Sequence, residues 1–265
     1  MNSTDGSEET ILNMKRNKWI FILMILIFSG ILESKSQMYT GMTGLIQNPT
    51  AEMDKAGSFR VGSHFLNKHF FPEGSLFAQR GYHTFDFYTS LTPFWWVEIG
   101  YTFTLMKGDI ETDAEGNTKS RYTMKDQYFS VKFSPLQEKE GKWWPAVAIG
   151  ANDILTFENL GGPNQYFGNA YIVATKNLET HKNVFGLTLG YRYYFSRYNK
   201  NWTGLVAGFT YRPFFYRNLR LMAEVAGRYV NVGMDCLLFN HLMLQVSLDK
   251  CRYISGGIAF TGNLF

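Results

Sequence analysis

The groups in this chain that could do acid–base, nucleophilic or metal chemistry are few. His64, His69, His83, His181 and His241 are scattered, and none lies in a nucleophile motif such as G-x-S-x-G. No His, Cys or Asp cluster has metal-ligand spacing. Cys236 and Cys251 do not form a C-x-x-C pair. No catalytic residue, metal or cofactor is therefore expected, and the chain reads as a non-enzyme. Its net charge of +4, without a dense basic tract, gives no reason to expect a nucleic-acid partner. What stands out is a set of charges embedded in apolar stretches at alternating positions: Arg60, Asp86, Glu98, Arg192, Arg212, Arg220, Glu224 and Asp235. Both signs are present. Such a set can brace a wall through ion pairs or line a lumen that contacts a polar or acidic glycan.

The elements that carry these charges alternate with period two, as strands with two different faces do. Ile99, Tyr101, Phe103 and Leu105 share one face with Trp95 and Val97, whereas Glu98, Gly100, Thr102 and Thr104 share the other with Trp96. A helix would put Val97 and Tyr101 beside Glu98. Leu219, Leu221, Ala223 and Val225 likewise oppose Arg220, Met222 and Glu224, and the pattern recurs from Phe59 to Leu264. It predicts about twelve strands near the 9–11 residues that a tilted membrane strand needs. A dry β-sandwich would have to bury the charged face at high cost, while a barrel can turn it to a lumen. An open sheet edge in lipid would leave amides unpaired, so the sheet must close. The expected fold is all-β: a closed antiparallel transmembrane β-barrel of about twelve strands.

Composition agrees. Aromatic residues make up 17% and charged residues only 18%, below the roughly 25% charge of a soluble domain. Yet the mean hydropathy is −0.18, too low for a bundle of membrane helices. The one long apolar run, Trp19 to Leu32, follows Lys15, Arg16 and Lys18 and precedes Ser34-Lys35-Ser36. This is the order of a secretory signal peptide, and about 14 residues is short for a spanning helix. No cysteine follows the run, so no lipid anchor is expected. The chain divides into a leader and cleaved signal peptide (1–36), an N-terminal periplasmic or plug segment (37–57) and the barrel (58–265), with the mature chain starting near Gln37.

Long polar connections at 67–80, 107–120 and 152–166 alternate with short ones. Outer-membrane barrels keep long loops outside the cell, which places both termini in the periplasm. Trp95, Trp96, Trp143, Trp144 and Trp202 lie at expected strand ends, where interfacial girdles form. Many inward positions are small, among them Gly62, Gly100, Gly150, Gly186, Gly208, Gly233 and Gly257. They leave space for a passage or plug, or let strands bend at barrel corners.

Several motifs recur in a specific order: Gly44-Leu45-Ile46-Gln47-Asn48-Pro49-Thr50-Ala51, Pro145-Ala146-Val147-Ala148-Ile149-Gly150, Ala170-Tyr171-Ile172-Val173-Ala174-Thr175-Lys176 and Tyr229-Val230-Asn231-Val232-Gly233. With them the chain resembles the YjbH family of outer-membrane proteins tied to extracellular polysaccharide production. Family members are often longer, with two barrel-like halves; this chain resembles a single-barrel version. The resemblance implies a non-enzymatic outer-membrane barrel of a Gram-negative bacterium that assists production, export or assembly of an extracellular polysaccharide. Its expected partners are outer-membrane lipid and the polysaccharide or its secretion proteins. The alternative is a small porin or structural barrel with no glycan role.

Overall fold

In a computed structural model of the chain, the structure describes residues 37–72, 81–107, 111–112, 118–119, 122–139, 141–153 and 166–265. The expected leader and signal peptide (1–36) lie outside these residues, as does most of the three long connections.

Twelve strands close into one up-and-down antiparallel barrel. They are β1 (Ser58–Leu66), β2 (Thr84–Phe94), β3 (Val97–Lys107), β6 (Tyr122–Leu136), β7 (Ala146–Asn152), β8 (Asn169–Thr180), β9 (Asn183–Tyr194), β10 (Gly204–Arg212), β11 (Leu219–Ala226), β12 (Tyr229–Leu238), β13 (Leu242–Asp249) and β14 (Tyr253–Asn263). A two-stranded ribbon, β4 (Glu111–Thr112) and β5 (Thr118–Lys119), stands in the connection between β3 and β6. Each barrel strand pairs with its sequence neighbours, and β1 closes the ring on β14 from Ser58↔Asn263 to Phe65↔Gly256. Closure gives every wall strand two partners and removes sheet edges, which the hydrocarbon region of a membrane requires.

The two faces separate as the alternation predicts. Outward residues form an apolar belt, with Val61, Leu189, Ile254 and Phe260 about half exposed. Inward residues such as Glu98, Thr102, Lys132 and Arg192 are fully buried. One reading changes at the β2–β3 connection. Trp95 and Trp96 form the turn itself, and Val97 is buried instead of facing out. The register shifts between Leu91 and Phe94, so the alternation resets there.

Strand direction puts the connections after β1, β3, β7 and β9 at one end, called here the loop end. The turns after β2, β8 and β12 lie at the other, terminal end, beside Gly57 and Asn263. Three hairpins each turn through a consecutive pair of residues with positive φ, His181-Lys182 in a two-residue loop and Phe239-Asn240 and Lys250-Cys251 in three-residue loops. This backbone twist matches that of the flanking strands.

The lumen is occupied. Residues 37–52 are all buried, and they bond to wall strands on opposite sides of the barrel. At the loop end, Tyr39, Phe70, Phe71, Phe167, Tyr194 and Trp202 form an interior aromatic cluster, with Tyr39–Phe70 centroids 5.3 Å apart and Tyr194–Trp202 5.5 Å. Trp202 is thus not a girdle residue. It is the last residue of the short 3-10 turn Arg197–Trp202 and packs inward against Tyr39, Phe70 and Phe71.

Candidate functional site

All eight inward charges chosen from the sequence are buried, and most converge on the segment within the lumen. That segment has no regular secondary structure, so its backbone groups need partners from the wall. The wall supplies them residue by residue.

The densest contact is at Glu224 of β11. Its carboxylate accepts from the backbone N–H groups of Ile46 (3.2 Å), Gln47 (2.9 Å) and Asn48 (3.0 Å). Asn231 Nδ2 donates to it from β12 at 2.8 Å. The donors converge because residues 45–48 turn tightly, with Leu45 N donating to Asn48 O at 2.8 Å. Successive N–H groups of such a turn form a concave anion site, here filled by a side chain of the wall.

A second contact lies across the lumen. Glu98 of β3 accepts from Thr43 N (2.8 Å) and Thr43 Oγ1 (2.6 Å) and pairs with Lys132 Nζ at 2.8 Å. Lys132 also donates to Thr43 O (3.1 Å) and Glu52 O (3.0 Å). Arg60 approaches Glu98 at 3.5 Å, pairs with Asp54 and reaches Gly41 O. The carbonyls of the segment meet donors all around the ring. Arg192 Nη1 donates to Gln47 O at 2.7 Å, Arg220 Nη2 to Gly44 O at 3.2 Å, Thr102 Oγ1 to Thr40 O at 3.0 Å and Gln245 Nε2 to Leu45 O at 3.2 Å.

Arg220 and Asp235 are cross-strand partners and pair at 2.8 Å. Among the described residues, Asp235 therefore meets the segment through Arg220. Arg212 stands 4.0 Å from Glu52, at the outer limit of an ion pair. Asp86 is the exception among the eight. It is buried beside its register partners His64 and Thr104, and it has no ion-pair partner among the described residues.

Several participants were not chosen from the sequence. Lys132 and Gln245 have the inward parity of their strands, and that parity was the available signal. Glu52 and Asp54 lie in the aperiodic segment, where no face can be read. The small inward residues have a direct use. A Cβ at Gly208 would lie 2.2 Å from Leu45 Cδ1, and one at Gly100 would lie 2.7 Å from Met42 Sδ. At Gly41, φ is +79° and an added Cβ would strike the Tyr88 ring at 2.1 Å. Other inward glycines make room for wall side chains: Gly257 faces His64, and Gly150 faces Tyr171.

At the terminal end, a cavity of about 880 Å³ opens beside this network, lined by Lys139, Lys142, Lys176, Asn177 and Arg212 together with Glu138 and Glu179. Lys176 pairs with Glu138 at 2.6 Å, and Glu179 pairs with Arg217. Among the described residues, no group of three His, Cys, Asp or Glu side chains is arranged to hold a metal. His64 Nε2 lies 2.6 Å from Gln245 Oε1, and His69 stacks on Tyr253 with centroids 4.0 Å apart.

Among solved structures, outer membrane phospholipase A from Escherichia coli is similar at 13% identity and a TM-score of 0.29, covering 79% of this chain and 98% of that one. The Salmonella typhi outer membrane phospholipase dimer with bound calcium is similar at 12% identity and a TM-score of 0.30, covering 79% and 92%. These likenesses are too distant to carry any chemistry across. Curated proteins give no match. The family model that matches is YjbH, described as "Exopolysaccharide biosynthesis protein YbjH", over residues 36–212. That span takes in the lumen segment and the wall from β1 to β10, and the chain belongs to the YjbH family.

Proposed function

We propose that this protein is a non-enzymatic outer-membrane barrel that assists production, export or assembly of an extracellular polysaccharide, with residues 37–57 as a plug and both termini in the periplasm. The observation that carries this reading is the lumen segment, held across the barrel by Glu98 and Glu224 in a member of an exopolysaccharide family. The apolar outer belt supports placement in the outer-membrane lipid. The cation-bearing cavity at the terminal end is the proposed point of contact for the polysaccharide or a secretion partner. The filled lumen counts against a constitutive porin.

A second role for the charges also has support. Glu98–Lys132 and Arg220–Asp235 join neighbouring strands, so these pairs brace the wall while their remaining bonding capacity holds the segment. The deciding experiment is a deletion strain scored for surface polysaccharide and complemented with wild-type protein or R212Q. The proposal expects loss on deletion, restoration by the wild type, and reduced output from R212Q despite normal barrel levels in the membrane. Unchanged polysaccharide on deletion would remove it.

A further inference from the structure

Among the buried polar residues of the lumen segment, Gln37 has a side chain that the charge network leaves unused. Gln37 is fully buried. Its carbonyl accepts from Gln245 Nε2 at 3.0 Å, and its backbone bridges to Thr43. The chain doubles back here, with Met38 N donating to Met42 O at 2.9 Å and Gly41 N to Met38 O at 2.8 Å. Gln37 therefore lies alongside Thr43 inside the barrel. Its side-chain Oε1 and Nε2 have no hydrogen-bond partner among the described residues. Its neighbour Gln245 is in turn bonded to His64, and among the described residues no carboxylate contacts Gln37.

Ser34-Lys35-Ser36 precedes this position, with small residues where signal peptidase reads them. Cleavage after Ser36 would leave a new α-ammonium at a buried site that no carboxylate contacts among the described residues, the carboxylate beside Thr43, Glu98, being already paired with Lys132. A buried unpaired charge of this kind is strongly disfavoured. A glutamine at that position can remove the charge with its own side chain. The α-amino nitrogen attacks the side-chain Cδ, the new C–N bond closes a five-membered lactam, and the carboxamide nitrogen leaves with the released proton as ammonium. No oxidant, reductant or co-reactant is consumed. The product has one N–H and one ring C=O, carries no charge and lacks the carboxamide nitrogen that is unpartnered here.

We propose that Gln37 is the first residue of the mature protein and is cyclised to pyroglutamate, so that the segment enters the lumen with an uncharged end. Ring closure must come before barrel closure, because Gln37 is inaccessible afterwards. The test is mass spectrometry of the N-terminal peptide from protein extracted from native outer membranes. The expected peptide starts at Gln37, is lighter than its sequence by one ammonia, and gives no signal in Edman degradation until treated with pyroglutamyl aminopeptidase. A start at another residue, or a Gln37 start with a free amine, overturns the proposal. Q37A, which keeps the amine after the same cleavage, is expected to release the segment to protease at a lower temperature than wild type. If Q37A withstands protease as wild type does, charge removal is not what seats the segment.

Discussion

Glu224 serves three consecutive amides of the lumen segment with one carboxylate. E224A would strand those donors in a buried setting, at a cost of about 3 kcal/mol. The expected outcome is protease sensitivity of residues 37–52 with the barrel still heat-modifiable on gels. E224Q, which keeps one acceptor oxygen, should fall between the two. At Arg220 the logic reverses. R220A leaves Asp235 buried without its cation and should destabilise the barrel wall itself by about 3–5 kcal/mol, seen as a lower heat-modification midpoint. The double variant R220M/D235L should recover most of that loss. Period two in the sequence was enough to put all eight charges inward. It gave no guide to which of them would meet the segment. Asp86 and Glu98 looked alike as strand residues, yet only Glu98 found a partner in residues 37–52, because the course of that segment has no period to read.

At the scale of elements, the inward glycines decide what the lumen can hold. G208V would place side-chain atoms where Leu45 packs and is expected to displace the segment without disturbing the β9–β11 register. Planar-bilayer recordings should then show higher conductance than wild type, and deletion of 38–52 should show the same. If both variants conduct like wild type, the segment is not what closes the lumen. Strand existence and pairing were legible because apolar and polar residues alternate from β1 to β14. Boundaries were less so. The turn at Trp95-Trp96 and the burial of Val97 follow from a register shift that the alternation does not encode. Trp202 was misplaced for a related reason: a tryptophan beside a strand end can point to lipid or under a loop, and Tyr39, Phe70 and Phe71 decide in favour of the interior.

For the whole molecule, orientation can be checked with a residue already present. Cys251 is exposed in the Lys250-Cys251 turn at the loop end, whereas Cys236 is half-buried towards the other end of the wall. With the termini in the periplasm, a membrane-impermeant maleimide added to intact cells should label Cys251, and C251S should abolish the signal. Labelling that requires outer-membrane permeabilisation would invert the proposed topology.

The closing seam of the barrel joins β1 to β14, the first and last strands of the wall, and the lumen segment lies just ahead of β1 in the chain. The molecule is therefore a ring drawn shut around a segment that precedes its own first wall strand. Biogenesis has a time order that equilibrium contacts do not reveal. Until β14 docks, the segment can swing in sideways through the gap; once the seam zips, the remaining way in is end-on through a mouth. A chain that closes early would hold every strand in register yet be hollow, with Glu98 and Glu224 lacking their partners in the segment. It would be a topological isomer of the native fold, separated from it by the work of threading or of reopening the seam.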